Sequence, residues 1–378
     1  MAQESLPASL FRGGTSKGVY VRREEMPPDR ETWDEVLLNA FGSPDPMQLD
    51  GIGGSHSTTS KAMIVSRGEG NVDVEYRFAG VAVERPVVDW GGNCGNLTFA
   101  VGPYAIERGL VDVPRDAERA ELLLRNANTG DTVEQSVPVA DGRPRYDGSF
   151  KVHGVPGTGA RIRSRFLDPG GSVTGAVFPT DERTETLQVP DLGSVEASLV
   201  DVASPCVFVR AADVGFDPTA LPGRIDADGD LLDRLERVRS VACTRYGFVD
   251  SPEEASDRSP GIPKIAVVGE RAVYETVGGD TISQGEYDLL ARIMSMGKAH
   301  HAYAVTGAMC TAVAAALPGT IPAGYLDDDR PGSVTIGHPK GTLTVGVGLA
   351  GEAVAYTEMD RTARQIMHGE LFYAPPES

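Results

Sequence analysis

The sequence predicts an α/β fold of the α+β kind, built from two similar halves that each wrap a curved sheet around one central helix. Two observations carry this. Glycine supplies 45 of the 378 residues and proline 26, with neither in a G-X-Y period nor in a tract. The excess over the usual ~7% and ~5% therefore goes into turns between many short strands. Two segments, LTFAVGPYAI at 97–106 and TGAMCTAVAAAL at 306–317, are small and apolar almost all round, as helices buried centrally are. Each follows strand-rich sequence and opens from a polar turn. The Thr/Glu/Asp-rich stretch 179–190 separates them, which places the halves at 1–182 and 183–378.

Apolar alternation or short apolar runs place strands at 18–22, 62–66, 72–78, 81–88 and 161–168. Further strands follow at 195–202, 206–209, 264–268, 333–336 and 342–347. Residues 29–41 form an amphipathic helix, with Trp33, Val36, Leu37 and Phe41 at helical spacing. Composition makes 116–127 a surface helix, and 230–241 and 283–296 complete the ordinary helices. The first central helix, 97–107, stops at Gly109. Pro103 within it kinks it or delays its start. The second, 306–317, ends at Pro318-Gly319.

With 35 basic against 54 acidic residues the net charge is −19, which repels nucleic acid and anionic lipid. A small anionic substrate is still admissible, because a pocket can be basic inside an acidic shell. The start MAQESLPASLFRGG has neither the charged region nor the apolar stretch of a signal peptide. No apolar run reaches the ~20 residues that cross a bilayer. The four cysteines, Cys94, Cys206, Cys243 and Cys310, form no C-x-x-C, so neither a disulfide framework nor a zinc site is expected. A cytoplasmic protein in a reducing compartment is the expectation, and a homodimer is compatible with it.

Three segments carry chemistry. In GIGGSHSTTSK, 51–61, a Gly/Ser/Thr loop with free N–H groups leads into a lysine that opens an apolar strand. Such a loop can hold an anion, and a lysine drawn into a half-buried place can act as a base. The P-loop spacing is absent. In GGNCGN, 91–96, Cys94 precedes a helix, whose positive end favours thiolate. Cys206 and Cys310, set among apolar neighbours, read instead as small core residues. RGGTSK, 12–17, again puts cations, glycines and hydroxyls before a strand. Two such loops and two helix starts suit a di- or tricarboxylate. No metal or organic cofactor is expected: His300 and His301 are adjacent and no H-E-x-x-H occurs. The acidic run Asp327–Asp329 reads as a solvated loop.

These segments resemble the PrpF family, which has the diaminopimelate epimerase-like fold. FRGGTSKGVYV, DGIGGSHSTTSKAMIVS, DWGGNCGNLTFAVGPYAIERG, GVPGTGARIRSRFLDPGGSVTG, MGKAHHAYAVTGAMCTAVAA and RTARQIMHG follow the family's order through both halves. The resemblance implies two pseudo-symmetric domains. In the wider fold two cysteines, one per half, face each other across the substrate's acidic carbon. The first falls on Cys94 and the second near Ala304, where there is no thiol, which argues against a two-thiol racemase or epimerase. The resemblance gives the lysine-base role to Lys61. Family activities isomerise 2-methylaconitate, tautomerise 4-oxalomesaconate or shift the alkene of methylitaconate. The segment DWGGNCGNLTFAVGP looks closer to methylaconitate isomerases than to the tautomerases.

The resulting expectation is a cofactor-independent isomerase of an unsaturated di- or tricarboxylate. Lys61 removes a proton, and Cys94 or a nearby water handles the second one. Arg12, Thr15, Ser16, Lys17, Ser57, Thr59, Ser60, Lys298, Thr306 and Gly307 are the expected carboxylate binders. Asn93, Gly95 and Asn96 complete the cysteine turn. Ser204 takes the place of the asparagine in an Asn-Pro turn that touches substrate in the wider fold. The reading from another class is a non-catalytic carboxylate-binding accessory protein, against which an intact Lys61 and Cys94 speak.

Overall fold

The computed structural model describes residues 3–327 and 332–375. The chain forms two units: Met1–Leu167 together with Asp360–Ser378, and Asp168–Met359. This differs from the division at 182/183, and strand pairing is the reason. Ala363–Tyr373 runs antiparallel along the whole of Glu4–Gly13, from Glu4↔Tyr373 to Gly13↔Ala363. The last strand is thereby returned to the first unit.

In the first unit Glu4–Gly13 forms a hairpin with Ser16–Arg22, which lies parallel to Lys61–Arg67. The ladder continues through Val74–Val81 (antiparallel), Arg119–Asn126 (parallel), Thr132–Ala140 and Ile162–Leu167 (both antiparallel). In the second unit Gly193–Val202 pairs antiparallel with Ser204–Arg210, which lies parallel to Lys264–Gly269. Leu289–Ser295 (antiparallel), Ser333–His338 (parallel), Gly341–Ala350 and Ala353–Arg361 (both antiparallel) follow. The two sequences of pairing are the same. The expected pseudo-repeat is present.

Each parallel pair needs a crossover connection, usually a helix. Trp33–Phe41 supplies the first, burying Trp33, Val36, Leu37 and Phe41 in one apolar cluster with Val19, Val21 and Ile64. Gly229–Arg245 supplies its counterpart, with Leu231, Leu235 and Val238 against Val207, Val209 and Val267. The opposite face of each sheet holds the central helix. Val305–Ala316 is continuous and buried at every residue but Thr306. The first central helix is broken into Gly95–Thr98 and Val101–Glu107. Pro103 has no N–H to donate across the gap, and the buried Gln135 splints it: Nε2 donates to the Thr98 carbonyl (3.0 Å) while Oε1 accepts from the Gly102 N–H (2.9 Å). Tyr104 from this helix meets Phe11 and Tyr20 at 5.9 and 5.4 Å between ring centroids, each such contact adding ~0.5–1.5 kcal/mol beyond burial.

Three expected elements differ. Residues 116–127 have helix-forming composition but fold as the strand Arg119–Asn126, where Ala120, Leu122 and Leu124 alternate inward. Period two and two sheet neighbours override propensity there. Residues 283–296 contain the strand Leu289–Ser295, buried on both faces, and a short apolar run of that kind has no periodicity to separate strand from helix. Of 81–88, only Val81 and Val88 lie in strands, those of Val74–Val81 and Val88–Asp89, because the chain turns between them. Asp327 is exposed and pairs with Arg271 at 2.8 Å, while Asp328 and Asp329 lie outside the described residues.

Candidate active site

In the first unit, the strand that Lys61 opens lies between Ser16–Arg22 and Val74–Val81. The short strand Val88–Asp89 pairs back on Gly80 and Val81 and feeds the 91–96 turn. The register brings the two reactive side chains together. Lys61 Nζ lies 3.3 Å from Cys94 Sγ, and Cys94 Sγ lies 3.9 Å from Ser16 Oγ. Lys61 is half-buried; Cys94 and Ser16 are buried. The Phe78 ring centroid lies 5.8 Å from Lys61 Nζ and forms an apolar wall. Cys94 caps only the four-residue segment Gly95–Thr98. The helix end behind the thiol is therefore shorter than the sequence implied, and the thiol's direct side-chain contact is with Lys61.

The turn around Cys94 is held from beneath. Asn93 Nδ2 donates to Tyr76 Oη (3.3 Å), and Thr98 Oγ1 donates to Asn93 Oδ1 (3.2 Å). Tyr20 Oη donates to the Leu97 carbonyl. Burial first, and then the charge of Cys94, push the Tyr20 phenol up, so it stays a neutral donor. Burial does the same for Tyr76, against hydrogen bonds from Thr98 and Asn93. The 12–17 hairpin tip sits on Asn96, whose Oδ1 accepts from the Thr15 N–H at 3.2 Å. The approach is close: a Cβ on Gly13 would stand 2.5 Å from the Asn96 carbonyl oxygen.

Several expected carboxylate binders are engaged elsewhere. Arg12 Nη1 donates to the carbonyls of Gly14 (3.1 Å) and Thr362 (2.6 Å), tying the hairpin tip to the returning chain. Its burial, then Arg364, lowers the guanidinium pKa. Thr59 Oγ1 donates to the Gly54 carbonyl at 2.9 Å, and Ser60 Oγ to Gln48 Oε1 at 2.6 Å. These three residues build the site's frame. Ser57 is exposed, and Lys17 is half-buried with its N–H on the Thr58 carbonyl at 3.0 Å.

The second unit has a corresponding set. Lys264 opens its strand beside Cys206, two residues into the strand that Ser204 begins. Lys61 holds the same place relative to the strand that Ser16 begins. Ala304 caps the central helix as Cys94 caps the first. With no thiol there, Lys264 Nζ donates to Ser204 Oγ at 2.7 Å. Gly307 allows close packing, since a Cβ would stand 2.4 Å from Ile293 Cδ1. Thr306 is half-buried and Lys298 exposed. Cys206 and Cys310 are fully buried core residues, as expected. The sequence reading missed Lys264, although K-IAVV repeats the signal of K-AMIV at Lys61. Gln48 and Gln135 gave no signal, being single amides outside any motif.

Among the described residues no three His, Cys, Asp or Glu side chains gather as a metal-ion set, and no helix is long and apolar enough to cross a membrane. The family model described as PrpF protein matches residues 3–374. The chain belongs to the PrpF family. A 3-methylitaconate isomerase of Eubacterium barkeri is 39% identical over 98% of this chain and 97% of its own length. A 2-methyl-aconitate isomerase of Shewanella oneidensis is 37% identical over 97% and 96%. Among solved structures, a methylitaconate-delta-isomerase superposes with a TM-score of 0.85 at 38% identity, covering 99% of this chain and 96% of that one. A hydroxyproline epimerase of Agrobacterium vitis superposes at 0.54 with 11% identity, covering 98% and 94%, a likeness of fold alone. This PrpF chain is an isomerase by family, and its architecture is the diaminopimelate epimerase-like fold.

Proposed function

We propose that this PrpF protein isomerises the carbon–carbon double bond of an alkenyl di- or tricarboxylate of the 2-methylaconitate kind, without a cofactor. The observation that carries the reading is the 3.3 Å contact between Lys61 Nζ and Cys94 Sγ, a base and an acid already within proton-transfer reach. The neutral amine of Lys61 takes a proton from the carbon next to the alkene. The electron pair left behind spreads through the alkene into a carboxylate as a dienolate. The Cys94 thiol delivers a proton to the far end of that system, and the lysine returns its proton to sulfur across the same contact. The double bond has moved, no electron has been gained or lost, and both groups are restored.

Lys17, Ser57 and the backbone of the 54–60 loop bind the substrate carboxylates in this reading. Positioned acid and base groups contribute ~10²–10⁴-fold. A methylitaconate-type shift is the second reading, favoured by the 39% identical relative, and it uses the same proton transfer.

The test is incubation in deuterated water with aconitate, 2-methylaconitate, methylitaconate and oxalomesaconate, followed by NMR. The expected result is a moved double bond, with deuterium entering the allylic carbon, for one member of the set. Absence of both exchange and isomerisation across the panel would leave the carboxylate-binding accessory reading in its place.

A further inference from the structure

The tripeptide Met47-Gln48-Leu49 is turned inside out. Met47 and Leu49 are 67% and 84% exposed, while the polar Gln48 is 2% exposed. Its backbone is left-handed, with φ of +45°, which a side chain bearing a Cβ adopts only where its surroundings over-determine it. The amide explains the inversion. Gln48 Oε1 accepts from the Ser55 N–H at 2.8 Å and from Ser60 Oγ at 2.6 Å, and Nε2 donates to Ser43 Oγ at 2.9 Å. Both ends of the 55–60 loop hang on one oxygen atom. Ser55 is itself left-handed, φ +61°, and its Oγ donates to the Met47 carbonyl at 2.9 Å. Gly53 packs against the same amide, where a Cβ would stand 2.3 Å from Oε1. Two strained residues, Gln48 and Ser55, are thus held by one side chain in the segment that leads to Lys61.

We propose that Gln48 is the positioning residue of this loop, holding it in the shape that receives a substrate carboxylate. The assignment rests on the carboxylate-binding role given to the loop above. Gln48 touches no reacting atom; it acts through Ser55 and Ser60. An apolar side chain of similar size would leave the Ser55 N–H and two hydroxyls without their buried acceptor or donor. The loop would then relax toward ordinary backbone angles, while the Lys61–Cys94 contact, fixed by strand register, stays.

The test compares wild type, Gln48→Leu and Gln48→Glu by calorimetry with tricarballylate, a saturated tricarboxylate that cannot isomerise. Hydrogen exchange of 51–60 and the alkylation rate of Cys94 are measured on the same proteins. Gln48→Leu is expected to weaken tricarballylate about tenfold or more, the loss of one to two buried hydrogen bonds, and to raise exchange in 51–60. Cys94 alkylation should stay within about twofold, since the thiol's own contacts are not in the loop. Gln48→Glu keeps both acceptor bonds, the Ser43 hydroxyl turning to donate, and should restore exchange protection. Unchanged affinity in Gln48→Leu despite a loosened loop would overturn the assignment, as would unchanged exchange. Wild-type protein that binds tricarballylate yet moves no double bond would defeat the isomerase reading alone and leave Gln48 to the affinity ratio. Wild-type protein with no affinity for tricarballylate would overturn the assignment of Gln48 to a carboxylate loop, while the isomerase reading stands or falls on turnover of the panel.

Discussion

The two units solve one geometric problem twice and put different chemistry into the result. In the first, a serine, a lysine and a helix-capping cysteine converge, with the amine 3.3 Å from sulfur. In the second, the serine and lysine recur at the same register positions, but the cap is Ala304 and the lysine settles 2.7 Å from Ser204 Oγ instead. The backbone scaffold is therefore neutral as to mechanism. The helix cap is where the two sets differ, and the lysine contacts a thiol in the first and a hydroxyl in the second. Under the proposed mechanism the difference puts the acid–base work in the first unit, where an amine and a thiol stand in contact.

The largest expected effect follows directly. Lys61→Ala should lower kcat by ~10³-fold or more, in the upper range for a positioned base. Cys94→Ser should cost about 10–100-fold, since a hydroxyl still bonds to the amine but is a far poorer acid. Steady-state kinetics on whichever panel carboxylate reacts measures both. Near-native turnover by Lys61→Ala would erase the distinction between the units.

Packing separates the units next. Gly13 in the first faces a backbone carbonyl, Asn96 O at 2.5 Å from its missing Cβ, whereas Gly307 in the second faces the flexible tip of Ile293 at 2.4 Å. The distances are alike and the obstacles are not. Gly13→Ala must displace main chain at the cysteine turn and should cost ~3 kcal/mol, with Gly307→Ala nearer ~1 kcal/mol, the ends of the range for overpacking. Denaturant unfolding of the two variants checks the order. Equal losses would mean that the hairpin tip yields as readily as a side chain.

Much of this was legible in the sequence because it rests on local signals. Lys61 follows a Gly/Ser/Thr loop and opens an apolar strand, and Cys94 stands among glycines before an apolar segment. Ala304 is placed by the resemblance, and it caps its helix as Cys94 caps the first. What stayed hidden depends on contacts distant in sequence. Gln135 is 37 residues from the Thr98 carbonyl it serves. Arg12 looked like an anion binder because its partner, the Thr362 carbonyl, lies 350 residues away. Helical composition at 119–126 could not reveal that neighbouring strands would claim it. Lys264 carried the same signal as Lys61, but the preceding SPGIP lacks the hydroxyl loop that drew attention to the first.

The comparison can be sharpened by restoring the missing thiol. Ala304→Cys puts sulfur at the half-buried cap of Val305–Ala316, the position Cys94 holds in the first unit. If the units share geometry, that thiol should lie beside Lys264 as Cys94 lies beside Lys61. A neighbouring ammonium favours thiolate, so alkylation at 304 should be faster at neutral pH than in the Ala304→Cys, Lys264→Met double variant, by about threefold to tenfold for a half-exposed pair. Peptide mapping by mass spectrometry separates it from Cys94. Identical rates with and without the lysine would show that the register match stops short of the side chains.

The smallest effect concerns the outer helices. Trp33–Phe41 in the first unit is held mainly by apolar burial, with Arg30 stacked over the Trp33 and Trp90 rings at 4.6 and 3.9 Å. Gly229–Arg245 in the second adds a charged clamp. Glu236 takes Arg239 Nε at 2.7 Å and Ser256 Oγ at 2.6 Å, while Arg239 Nη1 donates to the Ser259 carbonyl at 2.8 Å. Burial raises the Glu236 carboxyl, but the hydrogen bonds from Arg239, Ser256 and Ser240 and the charge of Arg239 together hold it below its ordinary value. A carboxyl lowered on folding stabilises the native state above its unfolded pKa of ~4.3 and loses that contribution as pH falls through the lower folded value. Solvent at the partly exposed pair screens it, so the effect on global stability is small. The readout is therefore local: below about pH 4.3, amide exchange should rise in 229–263 before it rises in 33–41. Glu236→Gln should remove that pH dependence while leaving 33–41 as before. Parallel loosening of both helices in acid would mean that the clamp adds nothing to apolar burial, and the outer layers of the two units would then be energetically alike.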